Sequence, residues 1–159
     1  MTQASAPMST AIKVITGLVL VMTAVILLAA VKFCALLWGG ALLAVVVLFC
    51  YLYAPMAYEL TGDQLTVQFR LGQKVFQAVT RCETLTARPP MGLRLWGNGG
   101  LFAATGIFWN KTYGVYRAYV TSARYQDYVL VATRTQKILI SPENPEEFVK
   151  TWASSAPAA

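Results

Sequence analysis

The stretch that decides the fold runs from Val14 to Pro55 and reads VITGLVLVMTAVILLAAVKFCALLWGGALLAVVVLFCYLYAP. It contains two apolar segments, Val14 to Val31 and Ala35 to Pro55, joined by the link Lys32-Phe33-Cys34. Each segment is close to the roughly 20 residues that a helix needs to cross a bilayer core of about 30 Å. Because the link is so short, the two helices must run antiparallel. The sequence therefore predicts a two-span transmembrane α-hairpin over residues 13–56.

Small and polar side chains refine this prediction. Gly40 and Ala44 have the small-xxx-small spacing that lets two helices approach closely, so we expect the hairpin to pack there. Thr16 and Thr23 are expected to bond back to carbonyls of their own helix. The spans contain no Asp, Glu, Arg or His to form a proton or ion path, which favours an anchor over a transporter core. A cleaved signal peptide is the alternative interpretation of the first segment.

Length and charge set the class of the remaining chain. Of 159 residues, the hairpin and the tail before it leave roughly 100, a common size for one domain. All seven acidic residues and all but two of the 13 basic residues follow the hairpin. This mild positive charge suits a surface near anionic lipid headgroups. The chain has no run of adjacent Lys or Arg, so we expect no nucleic-acid partner.

Several chemistries are excluded by composition. The chain has no histidine, which excludes Ser-His-Asp and Cys-His catalysis and histidine-ligated metals. The cysteines Cys34, Cys50 and Cys82 form no C-x-x-C pair and indicate no disulfide framework. Strand alternation would point Arg81 away from Cys82, so we interpret Cys82 as a small buried apolar residue. We predict no catalytic residue, no metal site, no cofactor and no enzymatic activity.

After the hairpin the apolar period changes from helical to two. Gly62-Asp63 is a tight-turn dipeptide, and the alternating residues Leu65, Val67 and Phe69 follow it. Apolar residues on both faces of the segment from Asp127 to Thr133 predict a central strand. Such segments indicate a mainly β domain.

The chain end returns to a helical pattern. Asn144 suits an N-cap, Pro145 suits the first helical position, and Glu147 suits a capping box. We therefore predict four parts, listed here in chain order. They are a flexible tail (1–12), the hairpin (13–56), a β domain with one C-terminal helix (57–153) and a second flexible tail (154–159).

A segment rich in glycine and aromatic residues follows the middle of the domain. Its glycines match neither the phosphate-loop nor the dinucleotide pattern, so we interpret the stretch from Arg94 to Phe102 as a loop with positive φ angles. Aromatic rings with a basic fringe suit a contact surface, and the candidate residues are Arg94, Trp96, Trp109 and Lys111. The alternative is that these rings cover the core of a small barrel.

Three motifs carry a family resemblance: the stretch RLWGNGGLF (94–102) with Gly106, then Tyr119-Val120-Thr121, then ILISPENPEEF (138–148). Over residues 58–152 the chain resembles the membrane-anchored bacterial pleckstrin-homology (PH)-like domains. The resemblance implies a seven-stranded bent sheet or partly open barrel with one C-terminal helix, no common catalytic activity and no settled ligand. Eukaryotic relatives that bind phosphoinositides place Lys and Arg around the first hairpin loop. Here that loop, residues 61–64, has no basic residue, so phosphoinositide recognition is not implied.

These observations favour a non-catalytic interaction module that a membrane anchor presents at the bacterial inner-membrane surface. Its expected partners are the lipid bilayer and another protein. A small accessory subunit of a larger membrane complex is the second hypothesis, and an enzyme of unknown class is the third. Lys13, Arg70 and Lys74 outnumber Lys32, so the positive-inside rule favours a cytoplasmic domain.

Overall fold

The computed structural model describes residues 2–30, 34–85 and 92–155. Helices α1 (Thr10–Ala30) and α2 (Cys34–Leu52) form the predicted hairpin and pack on each other. At Gly40 of α2 a Cβ atom would lie 2.8 Å from Cδ2 of Leu27, so glycine allows this approach. Ala44, one turn later, is half-buried.

The membrane signal of the two helices is unequal. Among the described residues, one helical stretch, Thr10–Ala29, is long and apolar enough to cross a membrane. The corresponding apolar stretch in α2, Trp38–Leu52, is shorter. One candidate span is therefore established by length and composition, where the sequence analysis predicted two.

The β domain contains more strands than the seven predicted, because the segment after residue 92 adds a long hairpin. The described residues hold ten strands, of which the first precedes α1. They are β1 (Thr2–Ser5), β2 (Pro55–Thr61), β3 (Gln64–Phe69), β4 (Gly72–Phe76), β5 (Val79–Thr84), β6 (Leu93–Gly99), β7 (Ala104–Asn110), β8 (Gly114–Val120), β9 (Val129–Thr133) and β10 (Lys137–Ile140). Helix α3 (Pro145–Ser155) follows them, as predicted for the chain end.

The strands form two sheets. The first has the order β1-β2-β3-β4, and the second has the order β5-β9-β10-β8-β7-β6. The predicted turn at Gly62-Asp63 is confirmed, since Thr61 pairs with Gln64 across it. Within the second sheet β8 and β10 run parallel and the other neighbours are antiparallel.

The N-terminal segment is a correction to the predicted flexible tail. Residues Thr2 to Ser5 pair with residues Ala57 to Leu60 of β2 and extend the first sheet. The backbone N–H of Ser9 then donates to the Thr121 carbonyl. The segment has no pairing pattern of its own. Its order is a non-local effect, because its hydrogen bonds come from β2 and from residues late in the chain such as Thr121 and Glu143.

The main core lies between the two sheets under α3. Its largest fully buried side chains include Tyr58, Leu65, Ile138 and Phe148. The Tyr58 hydroxyl donates to the Tyr119 carbonyl at 2.6 Å, and burial raises the pKa of Tyr58 to about 12. This bond joins the two sheets through the middle of the core.

A second apolar cluster covers the other face of the second sheet. Leu130 of β9 and Leu139 of β10 belong to it, whereas Val131 and Ile138 of the same strands belong to the main core. The prediction of a central strand near residue 130 is therefore confirmed. The predicted break around Pro89 and Pro90 lies outside the described residues.

Candidate functional site

The strands β6, β7 and β8 place three rows of side chains on one face of the second sheet. An outer row pairs Leu93, Trp109 and Val115; a middle row pairs Trp96, Ile107 and Arg117; and an inner row pairs Asn98, Thr105 and Tyr119. Paired residues in neighbouring strands point to the same side of a sheet, as do residues two apart in one strand. Tyr119 is buried in the main core, whereas the outer row is exposed. The face therefore passes from core to solvent across three rows.

A bulge in β6 determines which side chains reach this face. The register shifts between Arg94 and Trp96, so Leu95 is the extra residue. Strict alternation would put Arg94 beside Trp96, but the bulge pairs Arg94 with Phe108 on the opposite face. The guanidinium of Arg94 lies over the backbone of Gly99.

Two glycines let β6 and β7 approach closely. Gly97 and Gly106 are paired and have φ angles of +115° and +147°. A Cβ atom on Gly97 would lie 2.2 Å from the Thr105 carbonyl oxygen, and one on Gly106 would lie 2.1 Å from that of Trp96. The sequence correctly indicated positive φ angles here, but the loop prediction for residues 94–102 is wrong over most of its length, because Leu93–Gly99 is a strand.

The turn between β6 and β7 docks the domain on the helical hairpin. Asn98 accepts a hydrogen bond from the Leu101 N–H and donates to the Ala103 carbonyl, which holds the turn together. The Phe102 N–H donates to Thr16 Oγ1 of α1 at 3.0 Å, so Thr16 has a partner outside its own helix. The ring of Phe102 is buried against the hairpin.

A basic residue provides a second link between domain and hairpin. The guanidinium of Arg70 lies 4.1 Å from the centre of the Tyr51 ring and donates to the Tyr51 carbonyl near the end of α2. A cation there complements the negative end of the helix dipole. Arg70 and Phe102 together fix α2 as a wall beside the sheet.

A groove of about 950 Å³ lies between this wall, the turn between β3 and β4, and the face formed by β6 to β8. Its walls include Phe49 and Tyr53 of α2 as well as Trp96 of the middle row. Among the described residues, the charged ones that line the groove are Lys74 and Arg117, and no carboxylate lines it. The arrangement suits an apolar ligand that carries negative charge.

The four predicted surface residues are only partly brought together. Trp96 and Trp109 share one face and are 77% and 38% exposed, so neither ring is enclosed in the core. Arg94 lies on the opposite face, and Lys111 lies in the exposed turn between β7 and β8. The two tryptophans therefore lie together, and the cations that share a groove with Trp96 are Lys74 and Arg117.

The buried cysteine of the domain is unsuited to nucleophilic chemistry. Cys82 belongs to the main core, and its pKa is raised to about 12 by burial and by the nearby charge of Glu83. The Arg81 guanidinium is 2.6 Å from the Glu83 carboxylate on the exposed side of β5. Cys82 is therefore a structural residue, as the sequence analysis interpreted it.

With this geometry established, a scan against family models finds one for the bacterial PH domain, which matches residues 56–156. The chain belongs to the bacterial PH domain family. No curated protein and no solved structure matches it. PH domains are in general non-catalytic modules that mediate lipid or protein contacts.

Sequence reasoning missed two groove residues of this bacterial PH domain. Arg117 was not singled out, and Lys74 was used only for the prediction of topology. The available signal was alternation in β8, where Val115, Arg117 and Tyr119 must share a face. The bulge at Leu95 left no such signal, because it depends on pairing with β7.

Proposed function

We propose that this protein is a membrane-anchored, non-catalytic interaction module that presents its bacterial PH domain at the cytoplasmic face of the inner membrane. The hairpin is the anchor, and both helices serve as spans. The observation that carries the proposal is the direct docking of the domain on the hairpin through Phe102 and Arg70. A domain fixed in this way holds its exposed aromatic face at a constant height above the bilayer.

The contact surface of the proposed module consists of the outer row and Trp96. Leu93, Trp109 and Val115 are 65%, 38% and 59% exposed, and β6, which carries Leu93, is the edge strand of its sheet in the described part of the chain. Exposed apolar residues grouped on one face mark interaction sites rather than ordinary surface. Lys111, in the exposed turn between β7 and β8, contributes charge at the periphery of this surface, whereas Arg94 lies on the opposite face of the sheet.

Membrane anchoring and orientation can be tested on the full chain. We expect the protein to stay in the membrane pellet after alkaline carbonate extraction. We also expect a reporter fused after Ala159 to be active in the cytoplasm. Release by carbonate would contradict the anchor, and activity of the reporter in the periplasm would contradict the orientation.

The contact surface can be tested with a photo-crosslinking amino acid at Trp109 in cells. Thr135, exposed in the turn between β9 and β10, is the matched control position. We expect adducts with a protein or with lipid at position 109 and few at position 135. Equal yields at the two positions would remove the outer row as the contact surface.

A second candidate, an accessory subunit of a larger membrane complex, is favoured by the same exposed row. The edge strand β6 could then add to a partner sheet, a frequent mode of protein association. Native gels distinguish the two: an accessory subunit migrates only in a large assembly, whereas a free module also migrates as a monomer or homodimer.

A further inference from the structure

We propose that the groove beside α2 binds an anionic phospholipid of the same bilayer, with its phosphate at Lys74 and Arg117 and an acyl chain along α2. This inference rests on the proposed function, since only a membrane-held chain brings the groove to lipid. It assigns a ligand class to a site formed by both the hairpin and the domain. The site is separate from the first hairpin loop at residues 61–64.

Charge in the groove is one-sided. Lys74 and Arg117 line it, and none of the lining residues that the structure describes carries a carboxylate. In the described part of the chain, the ion pairs within 4.0 Å are Arg81–Glu83 and Lys150–Glu146, so neither groove cation has an acidic partner there. Two like charges in a concave site with apolar walls focus a positive potential. A phosphate group would neutralise both and gain charge-assisted hydrogen bonds.

The apolar part of the groove suits a hydrocarbon chain. The rings of Phe49 and Tyr53 are stacked at 4.5 Å between centroids and remain substantially exposed on α2. Trp96 and Ile107 face them from the sheet. A volume of about 950 Å³ falls at the upper end of ordinary ligand pockets, which span roughly 300–1,000 Å³. Burying such surface under an acyl chain is favourable at roughly 25 cal/mol per Å².

Position favours a lipid over a peptide as the occupant. The wall that contains Phe49 and Cys50 belongs to α2, whose other exposed apolar residues include Leu42, Val45 and Val46. The groove surface is therefore continuous with the face that the proposed span turns to the acyl chains. A lipid can enter sideways from the bilayer without leaving its apolar environment, whereas a peptide must come from water.

The test uses the purified full chain in mild detergent, with native mass spectrometry to count bound lipids. We expect phosphatidylglycerol to bind at least about tenfold more tightly than phosphatidylcholine of the same chain length, which corresponds to roughly 1.4 kcal/mol. The double variant Lys74→Gln/Arg117→Gln should lose this preference. The control Arg124→Gln/Arg134→Gln removes the same charge from two exposed positions between strands and should keep it.

Outcomes that overturn the inference are equally specific. The inference is wrong if the two lipids bind equally well. It is also wrong if the groove variant keeps the preference for phosphatidylglycerol or if the control variant loses it. Full competition by glycerol phosphate would indicate a simple phosphate site, and a co-purified peptide that excludes lipid would indicate a peptide groove. Arg117 is half-buried, so its replacement can unfold the protein, whereas the Lys74 side chain is exposed. If the double variant unfolds, the single variant Lys74→Gln repeats the test.

The inference and the proposed function can fail separately. Carbonate resistance without a lipid preference leaves the anchored module intact and removes the lipid site. Carbonate release removes the anchor and, with it, the source of the lipid.

Discussion

Two parts of the same six-stranded sheet have opposite environments. The strands β9 and β10 are covered on both faces, and Val129, Val131, Ile138 and Ile140 are fully buried. At the other end of the strand order, β6 is exposed along nearly its whole length, and β7 beside it is half-buried over most of its length. Both parts of the sheet consist of paired strands, and they differ in burial. Burial therefore distinguishes β9 and β10, which form the core, from β6 and β7, which a partner could reach.

The largest expected effect is in the buried half. Ile138→Ala should lower the free energy of unfolding by about 2–5 kcal/mol, because it removes methyl groups from a fully buried position and leaves a cavity. Leu95→Ala, at the exposed bulge, should cost less than about 0.5 kcal/mol. Urea unfolding of the full chain in detergent, followed by circular dichroism, measures both. Similar losses of unfolding free energy in the two variants would contradict the difference in burial between β10 and β6.

A glycine substitution tests whether the close approach of the exposed strands β6 and β7 contributes to stability. Gly97→Ala should destabilise the chain by about 1–3 kcal/mol more than Gly72→Ala, since both have positive φ but only Gly97 faces a close carbonyl oxygen. Hydrogen exchange of β6 and β7 amides should increase in the Gly97 variant. Equal destabilisation would mean that the close approach of the two strands is unimportant.

The pH dependence of unfolding tests the burial of Cys82 in the main core. The pKa of Cys82 is raised from 9.0 to about 12, so its thiol stays protonated in the folded state while the unfolded chain ionises. Stability is therefore complete below pH 9 and falls as the pH rises toward 12, with about 1 kcal/mol lost by pH 10. Cys82→Ala should flatten the unfolding free energy between pH 8 and pH 10. An unchanged slope would place the responsible group elsewhere.

The smallest expected effect on stability is at the exposed tryptophan. Trp96→Ser should change the free energy of unfolding by less than about 0.5 kcal/mol, because the side chain is 77% exposed. Retention of anionic lipid or partner should fall at the same time. A loss near the roughly 3–5 kcal/mol of a buried aromatic would show that Trp96 belongs to the core in solution.

The same contrast explains what the sequence could reveal. The Gly62-Asp63 turn, the two-sided apolar strand β9 and the helix that begins at Pro145 have local signals, and all are observed. The pairing of β1 and the bulge at Leu95 depend on partners distant in sequence, and neither was predicted.

The candidate site shows the same limit. Trp96 and Trp109 were identified by composition, but the placement of Trp96 in one groove with Lys74 and Arg117 arises from the fold. The groove also needs the wall of α2, whose position depends on the turn at Phe102.

The contact between Phe102 and Thr16 has a consequence for membrane thickness. Phe102 shares an apolar cluster with Val47 of α2, and Val19 of α1 packs against this cluster, so the domain reaches well past the start of α1. From Val19 to the end of α1 at Ala30, the helix rises only about 18 Å at 1.5 Å per residue, against a hydrocarbon core of about 30 Å. A spanning hairpin must then draw the tip of the domain into the headgroup layer or thin the bilayer around it. Hydrophobic mismatch of this kind would concentrate the protein in thinner membranes.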